Sequence, residues 1–176
     1  RTGESVASEI LTITDDGTIQ GGLSSSAFDR EGIPHSPMSI IEKGKLRAFL
    51  HDSYTSRKEG TESNGHAAGS PRGVPSIDAT NVNVEAGAST LEELVSSVKR
   101  GLLVQRFSGR VDPVSGDFSG VAKGSKSIEG GSLQGVVRET LISGNVYDIL
   151  SKLSGLSKDH DYVFEPSSGG GAPIIK

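Results

Sequence analysis

Turn-forming residues interrupt this chain so often that only short elements of secondary structure fit between them. Its 176 residues include 24 glycines and 7 prolines. Glycine reaches positive φ at low cost and proline fixes φ, so clusters of the two mark turns. Runs of β-forming residues alternate with these clusters. We therefore predict short strands, mostly joined as hairpins, in one domain that spans residues 1–176.

The clearest predicted hairpin joins strands at 38–42 and 45–51 across Lys43-Gly44, with Leu46, Ala48 and Leu50 on one face. A second hairpin joins strands at 117–127 and 132–141 across the glycine-rich turn at 129–131. One further strand at 9–14 runs into the turn signal Asp15-Asp16-Gly17. The remaining predicted strands lie at 79–85, 102–107 and 172–175.

Two segments carry helix signals. In the first, Ser89 and Glu92 match a Ser-x-x-Glu capping box, and Gly101 is a typical stop. Its apolar residues recur at the spacing of one helix face, at Leu91, Leu94, Val95 and Val98. The second helix follows Asn145 and has its apolar stripe at Val146, Ile149, Leu150 and Leu153. The predicted fold is mainly β (α+β), an antiparallel β-barrel or sandwich with two peripheral helices.

A polar segment at 52–75 is predicted to be a loop. Loops of this length inside a domain are more often functional or disordered than inert. Asn64-Gly65-His66 lies in its middle. Two interpretations stay open for these residues: contact with a substrate in a cleft, and a plain Asn-Gly turn, which we favour.

Composition argues against several classes of function. The chain has no cysteine, which excludes disulfides, thiolate zinc sites and cysteine nucleophiles. A net charge of −4 and an aromatic content of 5% disfavour nucleic-acid binding, which requires a basic surface or aromatic stacking faces. No segment reaches the ~20 apolar residues of a membrane span. No signal peptide is visible, so we expect a cytoplasmic protein without a membrane partner.

The four histidines do not form a metal-binding motif in the sequence. No two of them have the i, i+4 spacing that places two imidazoles on one helix face. A metal hydrolase would need folding to bring distant histidines together, and we favour surface or hydrogen-bonded roles instead. The histidines are His35, His51, His66 and His160.

Several segments together resemble the TldD/PmbA family. Phe28 to Pro34 resembles the family's FDxEGxP segment, and 41–46 resembles its IExGxL segment. The other matching segments, in chain order, are His51 to Lys58 (LxDSYTARK), Ser89 to Leu103 (SxxELIxxxxRGLLV), Asp112 to Ser119 (NPVTGDFS) and Thr140 to Asn145 (TIAGN). Their order and spacing extend over nearly the whole chain. The HDSYTSRK and DPVSGDFS variants are more similar to the PmbA or TldE branch.

The resemblance implies a C-terminal, barrel-like β domain of a longer peptidase-related protein, whose N-terminal domain is missing here. A chain that begins with Arg1 rather than Met is expected to be a processed or excised product. The family was first described as a modulator of DNA gyrase. Its TldD branch binds zinc through His-Glu-x-x-x-His and a cysteine, whereas the PmbA or TldE branch lacks these ligands and pairs with the first. This chain contains neither motif, so the resemblance implies no cofactor, no complete catalytic site and no metal site in it.

By the same resemblance, residues 63–67 occupy the place of a TGNA-like element in the family's loop. The candidate cleft or peptide-contact residues are Tyr54, Arg57, Asn64 and His66. The expected role is that of a non-catalytic domain in a TldD/TldE-type metallopeptidase assembly. It would help to build a peptide-handling chamber and a subunit interface, with a zinc-bearing TldD-like subunit or a second copy as partner. The alternative is a gyrase-modulating or nucleic-acid-associated module.

Overall fold

Short antiparallel strands make up most of the regular structure. A computed structural model describes residues 2–138 and 140–159 and the backbone of two strands at 162–163 and 174–175. The described residues divide into two units. The first contains residues 2–5 and 11–85 with the two last strands, and the second contains residues 6–10 and 86–159.

The strands are two to seven residues long, as the frequent turn signals predict. In chain order they are β1 Ile13–Asp15, β2 Met38–Glu42, β3 Lys45–Leu46, β4 Ala67–Ala68, β5 Ser76–Ile77, β6 Val82–Val84, β7 Arg100–Leu103, β8 Arg106–Val111, β9 Asp117–Lys123, β10 Lys126–Glu129, β11 Ser132–Val136, β12 Thr140–Asn145, β13 Tyr162–Val163 and β14 Ile174–Ile175.

These strands pair into four open sheets. The first unit has a six-stranded sheet in the order β13-β14-β6-β1-β2-β3 and a two-stranded sheet of β4 and β5. The second unit has two three-stranded sheets, β11-β10-β7 and β12-β9-β8. Within the described residues, the pairings between these strands are antiparallel except for β14 and β6. The mainly β, antiparallel class is thus confirmed, whereas the closed barrel is not, because no described sheet closes on itself.

The described residues form three helices, not the predicted two: α1 Ser53–Glu59, α2 Leu91–Ser96 and α3 Val146–Ser151. The predicted loop at 52–75 contains α1 and also β4, so that expectation was wrong at both places. Each helix begins at a side chain that accepts a backbone N–H of the first turn, from Asp52, Thr90 and Asn145 respectively. None of the described helices has the length and apolar character that crossing a membrane requires.

Helix α2 is shorter than predicted, and its cap differs by one residue. The capping box joins Thr90 and Glu93 instead of Ser89 and Glu92. The helix ends at Ser96, well before the expected stop at Gly101, and Arg100 begins β7. Pairing with β10 explains the difference, because Gly101 lies opposite Ile128 in that ladder. The predicted second helix is confirmed as α3, although Leu153 lies beyond its end.

Four predicted strands are shortened or divided. The strand predicted at 102–107 breaks after Leu103, where β7 ends, and resumes at Arg106 as β8. The strand predicted at 45–51 ends at Leu46. The strand predicted at 117–127 turns at Gly124, where φ is +64°, and continues as β10. The strand predicted at 132–141 divides into β11 and β12. The turn at Gly130 and Gly131 therefore joins β10 to β11, while β9 pairs with β8 and β12. Of the predicted edge strand at 172–175, residues 172 and 173 lie outside the described residues.

A pair of glycines fixes the spacing of β8 and β9. Gly109 and Gly120 lie opposite each other in the ladder, and a Cβ on Gly109 would lie 2.4 Å from the Cα of Gly120. The Phe107 ring covers both positions and meets Phe118 edge to face, with 5.6 Å between ring centroids. An aromatic ring over a glycine pair compensates for the side chains that the glycines lack.

The two units differ in what they bury. Among the described residues, the buried apolar side chains are few: Leu11, Ile41 and Ala67 in the first unit and Ala7, Val95, Ala122 and Ile128 in the second. The first unit buries more polar side chains than apolar ones, namely Asp15, Asp29, Asp52, Ser56, His66, Thr80 and Asn81. Hydrogen bonds between these polar groups therefore specify much of the first unit's interior.

Candidate functional site

A large cleft in the first unit has a volume of about 770 Å³. The segment that follows β3, residues 47–51, forms one wall, and helix α1 with residues 61–64 forms another. The apolar part of the lining comes from Ala48, Phe49, Leu50 and Ile77. The volume of the cleft lies in the range of ligand-binding pockets, about 300–1,000 Å³.

Helix α1 is anchored by two carboxylates. Asp52 accepts the backbone N–H of Thr55 at 2.7 Å, and the Thr55 hydroxyl accepts the backbone N–H of Asp52 at 3.2 Å. These hydrogen bonds to the carboxylate, from the Thr55 backbone first, hold the pKa of Asp52 below its ordinary value. Glu31 accepts both the backbone N–H and the hydroxyl of Ser53, at 2.8 and 2.7 Å. The helix thereby presents Thr55 and Glu59, one turn apart, to the cleft.

The side-chain amide of Asn64 bonds to the backbone of residues 49–51 much as a backbone amide would. Its Nδ2 donates to the carbonyl of Phe49 at 2.8 Å, and its Oδ1 accepts the backbone N–H of His51 at 2.7 Å. These two bonds fix which end of the side-chain amide is oxygen. They also hold residues 49–51 against the loop. Gly65 then turns the chain with φ of +79°, and a Cβ there would lie 2.9 Å from the carbonyl of Pro34.

His66 lies buried behind the cleft, between two oxygen atoms that can only accept. Its Nε2 is 2.7 Å from the Asp15 carboxylate, and its Nδ1 is 2.9 Å from Oδ1 of Asn64. Both His66 and Asp15 are almost completely inaccessible to solvent, with side-chain exposure of 1% each. Each ring nitrogen of His66 thus faces an acceptor, and its contact with Asp15 is a buried hydrogen bond to a carboxylate, which is stronger than one between neutral groups.

Asp15 accepts three hydrogen bonds at this pair. Besides His66, the backbone N–H and the hydroxyl of Thr80 donate to it at 2.8 and 2.7 Å. Burial acts to raise the pKa of the Asp15 carboxyl, but the bonds from His66 and Thr80 outweigh burial and leave that pKa lowered. The sequence prediction placed Asp15 in a turn with Asp16 and Gly17. Instead Asp15 is the last residue of β1, and its role depends on partners 51 and 65 positions away.

We expect the chain to lose stability in acid partly through Asp15. Its pKa is lowered in the folded state, so its contribution to stability is present above the ordinary aspartate pKa of about 3.9 and is lost as pH falls through the folded value. Asp52 and Asp112, whose pKa values are also lowered, act in the same direction. Denaturant unfolding measured from pH 7 to pH 3 should show the free energy of unfolding falling below about pH 5. An Asp15→Asn variant should show a shallower fall, and a slope equal to that of the wild type would contradict the assignment.

A smaller cavity of about 240 Å³ lies on the other side of His66. His35 lines it, with Nε2 3.0 Å from the Ser26 hydroxyl, and its ring centroid is 6.4 Å from that of His66. Asp29 closes the floor by accepting the backbone N–H groups of Glu31, Ile33 and Ala67. The FDREGIP segment is thus a turn held by its own aspartate, with Glu31 extending to helix α1.

The four predicted contact residues occupy different environments. Asn64 lines the large cleft, and His66 is buried behind it and lines the smaller cavity. Tyr54 is 68% exposed on α1, and Arg57 donates to the carbonyl of Ser53 within the same helix; neither lines the large cleft. Peptide contact by the four residues stays a prediction. The sequence analysis did not name Phe49, Glu59 or Glu62, which line the large cleft. The only signal in the sequence was that Glu59 and Glu62 lie close to the DSYTSRK segment.

The described residues do not fit a zinc site. They contain no group of three or more histidine, aspartate or glutamate side chains placed to share a metal ion. The nitrogens of His66 contact Asp15 and Asn64, Nδ1 of His51 is 3.3 Å from the Thr55 hydroxyl, and Nε2 of His35 contacts Ser26. His160 lies outside the described residues.

Known proteins resemble this chain over nearly its full length. A metalloprotease of Methanocaldococcus jannaschii is 32% identical over 160 residues, which cover 90% of this chain and 36% of that protein. Metalloprotease PmbA of Escherichia coli O157:H7 is 30% identical over 158 residues, covering 89% of this chain and 33% of that protein. The chain thus spans about a third of the length of the curated relatives it matches.

Solved structures share this fold. TldE from Thermococcus kodakarensis superposes with a TM-score of 0.84 at 32% identity, over 99% of this chain and 39% of that protein. A Thermotoga maritima protein that carries the name of a DNA gyrase modulator superposes with a TM-score of 0.82 at 31% identity, over 99% of this chain and 38% of that protein. The PmbA/TldA metallopeptidase C-terminal domain matches residues 1–176. The predicted family is therefore confirmed, and the chain belongs to the TldD/PmbA metallopeptidase family as its C-terminal domain.

Proposed function

We propose that this domain belongs to a PmbA/TldE-like subunit of a TldD/TldE-type metallopeptidase assembly in the cytoplasm. In this role the domain does not cleave peptides by itself. It helps to form the chamber that holds peptide substrates and the interface with a zinc-bearing TldD-like subunit or with a second copy. The observation that carries the proposal is the likeness to Thermococcus TldE, with a TM-score of 0.84 over 99% of the chain.

Exposed apolar side chains support a role in assembly. Val136 and Leu141, on strands β11 and β12, are each 70% exposed, and Val114, in the turn between β8 and β9, is 88% exposed. Large apolar side chains that remain accessible on one domain are typical of surfaces that another subunit or domain covers. Strands β8, β11 and β12 are edge strands of the described sheets, and an edge strand offers a second means of association.

The engagement of the histidines supports a non-catalytic role. The nucleophile and general base of a hydrolase need a side chain that is both accessible and free to exchange a proton. His66 is buried against Asp15, and one ring nitrogen each of His35 and His51 lies within hydrogen-bond distance of a neighbouring hydroxyl group. The chemistry of peptide cleavage is accordingly assigned to the partner subunit.

The test is reconstitution with a TldD-type protein from the same genome. The purified chain should co-elute with the zinc-loaded partner on size exclusion, and hydrolysis of an unfolded peptide should require the partner. Hydrolysis by the chain alone in the presence of a chelator would contradict the non-catalytic role. Failure to co-elute at micromolar concentrations would contradict the subunit role.

The gyrase-related alternative rests on the name of the Thermotoga relative. A net charge of −4 and an aromatic content of 5% disfavour it. Phosphate neutralisation requires basic residues, and base stacking requires aromatic side chains. A salt-dependent shift of labelled DNA at micromolar protein would favour the alternative over the peptidase role.

A further inference from the structure

One asparagine of the chain stands in a sequence context that favours a covalent change. The chain has four asparagines, and three of them, Asn81, Asn83 and Asn145, precede a valine. Asn64 instead precedes Gly65. Glycine has no Cβ, so its backbone nitrogen can readily attack the side chain of the preceding residue, whereas a β-branched residue crowds that nitrogen. The context therefore favours reaction at Asn64 over the other three asparagines.

The reaction that this context permits is deamidation. The backbone nitrogen of Gly65 attacks Cγ of Asn64 and loses its proton, the bond from Cγ to Nδ2 breaks, and Nδ2 leaves as ammonia. Water then opens the resulting succinimide ring at either of its carbonyl groups, which gives aspartate or isoaspartate at position 64. Water is the only other reactant, and nothing is oxidised or reduced.

The folded structure opposes this attack. Nδ2 of Asn64 donates to the carbonyl of Phe49 at 2.8 Å, and Oδ1 accepts the N–H of His51 at 2.7 Å and lies 2.9 Å from Nδ1 of His66. The attack makes the planar amide carbon tetrahedral, so it displaces both side-chain atoms from these partners. The attacking nitrogen also belongs to a buried residue, Gly65. Reaction therefore requires residue 64 to separate from residues 49–51 first.

The fold requires both residues of the reactive pair, and neither product replaces Asn64. Gly65 has φ of +79°, and a Cβ there would lie 2.9 Å from the carbonyl oxygen of Pro34. An ionised aspartate at position 64 has no donor for the carbonyl of Phe49 and would place a carboxylate oxygen against it. Isoaspartate adds a carbon to the main chain directly before this close contact of Gly65.

We infer that Asn64 is a modification site at which opening of the first unit becomes irreversible. Asn64 deamidates when residues 49–51 separate from it, and the product does not rebuild their hydrogen bonds. A protein whose unfolded form is modified faster than it refolds has an operational stability that is a rate rather than an equilibrium. Deamidation of Asn64 supplies such a step in this domain, whether or not the proposed peptidase role is correct.

Mass spectrometry tests the site. The native chain and the chain in guanidinium chloride are incubated at the same mildly alkaline pH and digested with trypsin, and deamidation adds about 1 Da to the affected peptide. Trypsin places Asn64 in peptide 59–72 and the other asparagines in different peptides. Peptide 59–72 should gain this mass about tenfold or more faster in denaturant than in the native chain. Equal rates in the two states, or equal rates for all asparagines in denaturant, would overturn the inference.

Refolding tests the irreversibility. Samples taken from denaturant at intervals are diluted into buffer, and the folded monomer is separated from the remaining protein by size exclusion. The folded pool should contain about fivefold or less of the deamidated peptide 59–72 found in the remainder, because chains changed at residue 64 do not regain the native contacts. The same deamidated fraction in both pools would contradict irreversibility.

Variants at residue 64 separate the chemistry from its consequence. Asn64→Gln should remove the mass gain in denaturant, where no folding is needed, because the longer side chain reaches the backbone nitrogen less readily. Asn64→Asp, which is one product, should lower the midpoint of urea unfolding. Asn83→Asp is its control, since Asn83 is half-buried and its side chain has no hydrogen bond to the described residues, and should shift the midpoint less. Equal midpoints for the two aspartate variants would contradict the role of the Asn64 contacts.

Discussion

Replacing Asp15 with alanine is expected to lower the free energy of unfolding by about 3–5 kcal/mol. The substitution removes the acceptor for three donors at once: Nε2 of His66 and both the backbone N–H and hydroxyl of Thr80. It also leaves Nε2 of His66 buried without its acceptor. Typical domains are stable by about 5–15 kcal/mol, so this one change removes a large share of the total. Denaturant unfolding at pH 7 measures it.

Asp15→Asn separates the charge from the hydrogen bonds. An asparagine there keeps the shape, accepts from Thr80 and can donate to a neutral His66, so we expect a smaller loss than for alanine. Asp148→Ala is the matched surface control, because Asp148 is 70% exposed and 3.6 Å from Lys152. That control should change stability by less than about 0.5 kcal/mol. An Asp15→Ala variant as stable as the Asp148→Ala control would contradict the role assigned to the buried hydrogen bonds of Asp15.

Replacing Gly87 with alanine is the second change with a large expected effect. A Cβ at this position would lie 2.0 Å from the carbonyl oxygen of Leu156 and 2.6 Å from its carbon. Both are backbone atoms, so no side-chain rotation relieves the clash. The two segments must separate, which breaks the bond from Gly87 N–H to the carbonyl of Ser157 at 2.9 Å. We expect a loss of about 3 kcal/mol, at the upper end of overpacking effects.

Gly135→Ala is the control for that substitution. Gly135 lies on the exposed strand β11, and nothing lies within 4 Å of a Cβ placed there. Alanine at this position should be neutral or slightly stabilising, since it restricts the unfolded chain. The melting temperature of the Gly87→Ala variant should therefore be clearly lower than that of the Gly135→Ala variant. Equal melting temperatures would mean that the approach of residues 87 and 156 is not required for folding.

The parts of the fold that depend on neighbouring residues could be predicted from the sequence. The hairpin at Lys43-Gly44, the glycine turn at 130–131 and helix α3 all follow from signals within a few positions. Helix α1 was missed because its cap is an aspartate followed by a threonine at the third position, and its polar sequence shows no apolar stripe. The polar sequence favours a loop, but the Asp52 cap and the contact of Ser53 with Glu31 stabilise a helix there.

The candidate site was predictable only in part, for a different reason. Asn64 and His66 were identified from their place in a long polar segment that resembles a family motif. Their partners are distant in sequence: Asp15 lies 51 residues from His66, and Thr80 lies 65 residues from Asp15. No periodicity or spacing in one sequence encodes such pairings. A buried aspartate at the end of a strand also has the same sequence signature as an aspartate in a turn.

The division of the chain between its units constrains the order in which it can fold on the ribosome. Residues 6–10 belong to the second unit although residues 2–5 and 11–85 belong to the first. The Ser8 backbone N–H bonds to the carbonyl of Leu150, which is synthesised much later, and β6 must wait for β14. Neither unit can complete its hydrogen bonds until almost the whole domain has emerged. The nascent chain therefore keeps its strand edges open for most of synthesis, which favours dependence on chaperones during that interval.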